Sequence, residues 1–193
     1  MATRTGERKV QILQVLAEML QDPLGERITT AALAGKLQVS EAALYRHFAS
    51  KAQMFEGLIG FIEDTVFGLI NKISAEEPDG LKQVHQILGM LLSFAEKNPG
   101  MVRVLIGDAL VNEDDRLKVR INQLHDRLES TLKQGLRIAA TAVEGTAPPA
   151  EEDTAARANV MLCFVVGRWH QFAKSGFKRR PTEQWERQAT WLL

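Results

Sequence analysis

Thr29, Thr30, Ser40, Glu41, Ala42, Tyr45, His47 and Lys51 all fall in the run RITTAALAGKLQVSEAALYRHFASK at residues 27 to 51. Hydroxyls, one phenol, one imidazole, an ammonium and a carboxylate at these spacings offer recognition chemistry. A hydroxyl at a helix start, with the first backbone amides and the helix dipole, favours an anion such as phosphate, which suits Thr29 and Thr30 before one helix and Ser40 before the next. Lys51 adds charge near the start of a third helix, and Tyr45 and His47 can each donate to phosphate. Glu41 and Ala42 are placed for base edges: a carboxylate accepts from a cytosine amine, and a methyl group touches that of thymine. The bland alternatives, a surface histidine at His47 and core filler at Tyr45, weigh less than this role.

The elements that must position them follow from periodicity. Thr29 caps a first short helix with Leu33, Ala34 and Leu37 on one face, Gln38-Val39 fills a gap, and Ser40 caps a second helix over Glu41 to Phe48. That helix buries Leu44 and Phe48 and turns Glu41, Ala42, Tyr45 and Arg46 elsewhere, with His47 near its exposed end. It is too short to stand alone, so it packs across the first, as in a helix-turn-helix whose second helix enters the major groove. Helix 1, about Glu7 to Leu20, covers the pair with Val10, Leu13, Ala17 and Leu20, and Asp22-Pro23-Leu24-Gly25 ends it.

Ser50 caps a long helix to about Ser74 with a stripe of Phe55, Leu58, Ile59, Ile62, Val66, Leu69, Ile70 and Ile73. Further helices are expected at Leu81 to Lys97, Pro99 to Leu110 and Asp114 to about Val143, the last with Leu117, Ile121, Leu124, Leu128, Leu132 and Leu136 inward. Gly145 to Asp153 reads as a mobile loop, and two helices close the chain, Thr154 to Ser175 and Pro181 or Thr182 to Leu192. No segment alternates as a strand should. The expected fold is all-α, about nine helices, with a DNA-binding head at 1–51 and a helical dimerisation and partner-binding core at 52–193.

The chain has 193 residues, 45% of them hydrophobic, and a formal net charge of zero, so nucleic-acid binding must rest on local charge. Residues 1 to 51 hold seven Lys or Arg against five acids, a surplus of two beside the expected reader. His47, His85, His125 and His170 are scattered, without H-E-x-x-H, C-x-x-C or a phosphate-cradling glycine loop, so no cofactor, metal or catalytic residue is expected and the chain does not read as an enzyme. The lone Cys163 excludes an internal disulfide and reads as a small buried hydrophobe in a reducing compartment. The polar N-terminus lacks a signal-peptide core and no run approaches the length of a membrane span, which points to the cytoplasm. Val160 to Val166 is apolar all round and must be covered on both sides, which implies a homodimer through the last two helices, with Trp169, Phe172, Trp185 and Trp191 adding aromatic area. Such a dimer would read a palindrome, as one dimer or as two dimers on one site.

With Thr29, Val39-Ser40, the order Tyr45-Arg46-His47-Phe48 and Ser50-Lys51, the head resembles the helix-turn-helix of the TetR family. For that family the usual expectation is a repressor released by a small ligand held among helices 5 to 8. FIEDT at 61–65, EKNPGMVRVL at 96–105, EDDRLKVRINQL at 113–124 and SGFKRRPT at 175–182 extend the resemblance to the nucleoid occlusion branch of the family. This implies a nucleoid-associated, DNA-bound dimer that contacts the C-terminal tail of the tubulin-like division protein FtsZ and opposes ring assembly over the chromosome. Phe61, flanked by Gly57, Thr65 and Gly68, would form one wall of a peptide groove, with Met90 and Ser93 on helix 5 as the other and Lys97 and Asn98 at its end. Periodicity alone reads Phe61 as interior filler. The chain departs from the branch pattern at Leu69, where a basic residue is expected.

Overall fold

The computed structural model describes residues 2–22, 28–142 and 150–193. Among them are nine α-helices, one 3-10 turn and no strand. The helices are α1 (Ala2–Met19), α2 (Thr30–Lys36), α3 (Glu41–Tyr45), α4 (Lys51–Glu76), α5 (Gly80–Lys97), α6 (Pro99–Leu105), α7 (Asp115–Thr141), α8 (Glu151–Lys174) and α9 (Trp185–Leu192), with the 3-10 turn at Asp108–Leu110. The fold is all-α, as the periodicity predicts. The expected chain turn at 23–25 and the Pro148-Pro149 stretch lie outside the described residues.

Several boundaries differ for identifiable reasons. α3 ends at Tyr45, because the amides of His47 and Phe48 both turn back to the Leu44 carbonyl, at 2.9 and 3.1 Å, and close the last turn early. The expected helix over Pro99 to Leu110 breaks at Gly107, which adopts φ 77°, a conformation glycine reaches at little cost. α8 begins at Glu151 rather than Thr154: Glu151, Glu152 and Asp153 form its first turn, where three acids complement the dipole, so they are not part of a loop. α9 starts only at Trp185, after Gln184 at φ 62°. On α4, Leu69 is 41% exposed and leaves the expected stripe, whereas Met54 and Phe67 join the core. Arg127 lays its guanidinium 3.6 Å above the Phe67 ring, which stabilises that inward choice.

The chain divides into two compact units, Met1–Ile62 with Asn98–Ile121 and Glu63–Lys97 with Asn122–Leu193. In the first, α1 packs on α2 and α6, and α2 on α3. Ile12, Leu16, Leu33, Leu44 and Phe48 are buried there, so the short helices gain from burial the stability their length denies them. A Cβ at Gly100 would overlap the Ala17 carbonyl oxygen, which shows how closely α6 approaches α1. Arg103 donates to Asp108 at 3.0 Å and to the carbonyls of Leu20 and Asp22 at 3.4 and 3.3 Å, tying the end of α1 to the 3-10 turn.

In the second unit α5 packs on α8 and α8 on α9. Trp169 is fully buried and its Nε1 donates to the Leu91 carbonyl at 3.2 Å. Burial pushes the Glu96 carboxyl up, but hydrogen bonds from Thr182 and Arg180 together outweigh it and leave the carboxyl below its ordinary value. Arg137 and Lys133 both bond Glu151, and Arg137 foremost holds that carboxyl down at about 2.

The apolar run of α8 is only half covered within one chain. Met161, Leu162 and Val165 are buried, while Val160 is 57% exposed and Cys163 and Gly167 share its open stripe. Cys163 is therefore exposed rather than buried, its thiol 3.7 Å from the Asn159 Oδ1. Trp169, Phe172 and Trp185 lie in their own unit's core and leave Trp191, 77% exposed, as the uncovered aromatic of that group.

Candidate nucleic-acid interface

The helix-turn-helix is built by its caps. Thr29 accepts the Ala32 amide at 3.1 Å and Ser40 accepts the Ala43 amide at 3.3 Å. Each hydroxyl that accepts an amide keeps its own proton to donate outward, so capping and phosphate contact are compatible at one atom. Between the helices Gln38 takes φ 55°, and the Val39 amide returns to the Ala34 carbonyl at 3.0 Å.

Thr30, Glu41 and Tyr45 come together. Thr30 donates to Glu41 Oε2 at 2.6 Å and accepts from the Tyr45 hydroxyl at 3.5 Å. Glu41, Ala42 and Tyr45 are exposed on α3, Tyr45 at 45%, and Arg46 is exposed directly after it. The Thr30 link escapes a reading of α3 alone, since it is made across the turn from α2. His47 is half-buried, with Nδ1 enclosed and unpartnered, so any phosphate contact from this ring must use Nε2. Phe48 is buried, with the Lys9 ammonium 5.6 Å from its ring centre.

Lys51 stands apart from this set. Its Nζ lies 2.5 Å from Glu113 Oε1 and 5.6 Å from the Phe55 ring centre, and its side chain is 22% exposed. Glu113 is the site neighbour that sequence reasoning misses, because 62 positions separate it from Lys51.

Phe61 and Asn98 belong to the first unit, and Met90, Ser93 and Lys97 to the second. Phe61 is 38% exposed and lines a shallow apolar depression with Val10, Leu13, Gln14, Leu58 and Met101, so it is a surface residue rather than interior filler. Gly57 opens no groove beside it: a Cβ there would meet Phe48 at 3.0 Å and Leu13 at 3.3 Å, so this glycine makes room for the head's own core. Gly68 faces open space. Asn98 is half-buried at the start of α6, its carbonyl accepting the amides of Met101 and Val102 at 3.0 and 3.2 Å. On α5, Met90 and Ser93 are half-buried and Lys97 is exposed.

Residues 26–58 match the model of the family described as bacterial regulatory proteins, tetR family, and residues 78–193 match the tetracyclin repressor-like, C-terminal domain of SlmA-like type. The nucleoid occlusion factor SlmA of Alteromonas mediterranea is 55% identical over 187 residues, covering 97% of this chain and 94% of that protein. The SlmA of Marinomonas sp. (strain MWYL1) is 47% identical over 192 residues, covering 100% and 96%. Among solved structures, the transcriptional regulator FadR from Bacillus subtilis in complex with stearoyl-CoA superposes with TM-score 0.73 at 12% identity, covering 95% of this chain and 96% of that one. A TetR-family regulator from Bordetella parapertussis gives 0.73 at 13% identity, covering 96% and 93%. At such identities the two structures speak for the fold alone.

Proposed function

This chain belongs to the TetR family of bacterial regulatory proteins and, within it, to the nucleoid occlusion factors, and from that premise we propose that it binds specific palindromic DNA as a homodimer and, so bound, opposes division-ring assembly by contacting the C-terminal tail of FtsZ. One observation carries the reading: α3 turns Glu41, Ala42 and Tyr45 to the exterior while the hydroxyl caps Thr29 and Ser40 stand at the starts of both short helices. Contacts from Thr29, Thr30, Ser40, Tyr45, His47 and Lys51 to phosphate set the register, and Glu41 and Ala42 read bases. Residues 1–51 act as the head, and residues 52–193 supply dimerisation and partner binding. The open stripe of Val160, Cys163 and Gly167 with exposed Trp191 supports a second copy as its cover.

Phe61, Met90, Ser93, Lys97 and Asn98 are the residues proposed for the FtsZ tail, supported by the exposure of Phe61 and Lys97. A surface aromatic gives such a peptide an apolar anchor, and a lysine answers acidic groups. No described helix is long and apolar enough to cross a membrane. The protein acts in the cytoplasm on the nucleoid, as one or two dimers per site.

Mapping bound sites across the chromosome tests this function. Many dispersed sites, sparse near the terminus, are expected. Sites confined to a few promoters would replace the division role with that of a transcriptional repressor.

A further inference from the structure

We propose that Glu113 is a competitor, carried by the chain itself, for the cation that DNA uses: it holds Lys51 in the free protein, and a phosphate takes Lys51 from it in the complex. The inference rests on the DNA-binding reading above. Lys51 is the first residue of α4, directly after the helix-turn-helix, and its ammonium meets Glu113 at 2.5 Å over the Phe55 ring. The two side chains are 22% and 10% exposed and line a cavity of about 190 Å³ with Leu20, Ile28, Phe55 and Val111.

Nearby guanidiniums are engaged elsewhere. Arg103 bonds Asp108 and the carbonyls of Leu20 and Asp22, and Arg116 bonds Glu56 and Asp114. Removing Lys51 thus strips a carboxylate that is one-tenth exposed of its cation, and the cost of that stripped charge is subtracted from DNA affinity. Because the phosphate draws the ammonium away from Glu113, DNA binding and the Glu113 pairing oppose each other, and each weakens the other by the same factor.

The test uses the full chain and a fluorescent duplex selected on the wild-type protein, titrated from low to moderate salt. Glu113→Gln keeps the side chain's shape but removes its charge, and it should tighten binding by about fivefold or more. Lys51→Gln should weaken binding and reduce the slope of log K against log salt by about 0.9, the share of one phosphate contact. In the Lys51→Gln background the gain from Glu113→Gln should vanish. A merely structural strut would give the opposite sign, since its loss loosens α4. Equal or weaker binding by Glu113→Gln, or a gain that survives without Lys51, would overturn the inference while leaving DNA binding intact. A wild-type protein that ignores every duplex would overturn both.

Discussion

Leu44 is the residue on which the short helix α3 depends, and Leu44→Ala measures that dependence. Its side chain is 1% exposed. Deleting three carbons forfeits roughly 2.4 kcal/mol of transfer free energy at about 0.8 per carbon, and the cavity left behind raises the cost to about 3 kcal/mol. Against this, α3 has five residues and one hydroxyl cap, a cap being worth about 1 kcal/mol, and a helix of that length has no propagation to draw on. A loss of about 3 kcal/mol lowers the ratio of docked to undocked head by roughly 150-fold. Apparent DNA affinity falls in proportion once the undocked form predominates. Ser40→Ala serves as the graded companion at about 1 kcal/mol, or roughly fivefold. Urea midpoints and duplex titration by fluorescence anisotropy on both variants provide the measurement. A Leu44→Ala protein that unfolds at the wild-type midpoint and binds duplex as tightly as wild type would refute the argument that tertiary burial holds the reader in place.

Four other outcomes are expected. Tyr45→Ala should weaken all duplexes alike, whereas Ala42→Asp should shift sequence preference, measured by selection from random duplex pools. Because Arg137 and Lys133 hold Glu151 near 2 against an ordinary value of 4.5, the stabilisation it gives is present above about pH 4.5 and is lost as pH falls towards 2; Glu151→Gln should flatten that acid limb in melting temperature against pH. Gly100→Ala should lower the melting temperature clearly, since its methyl meets backbone at Ala17 that cannot turn aside. Phe61→Ala and Asn98→Ala should each abolish binding of an FtsZ tail peptide at unchanged DNA affinity in parallel titrations.

Local physics made much of the head legible. A hydroxyl before an apolar period marks Thr29 and Ser40 as caps, and the i, i+4 pair Leu44 and Phe48 is buried as spacing predicts. The inward row of α7, from Leu117 to Leu136, was equally readable because a single face repeats throughout. What stayed hidden depends on distant partners. Nothing near Lys51 announces Glu113, and nothing near Glu41 announces Thr30. Apolar character likewise says that Trp169 and Cys163 seek cover but not which surface supplies it: the first finds it inside its own unit and the second stays open.

That open sulfur turns a structural detail into an instrument. Cys163 is the sole thiol of the sequence, so its alkylation rate is a footprint of one helical face with no competing signal. A maleimide that reacts quickly in dilute protein and slowly in concentrated protein would chart self-association without a tag, and added duplex should slow it further at a fixed protein concentration.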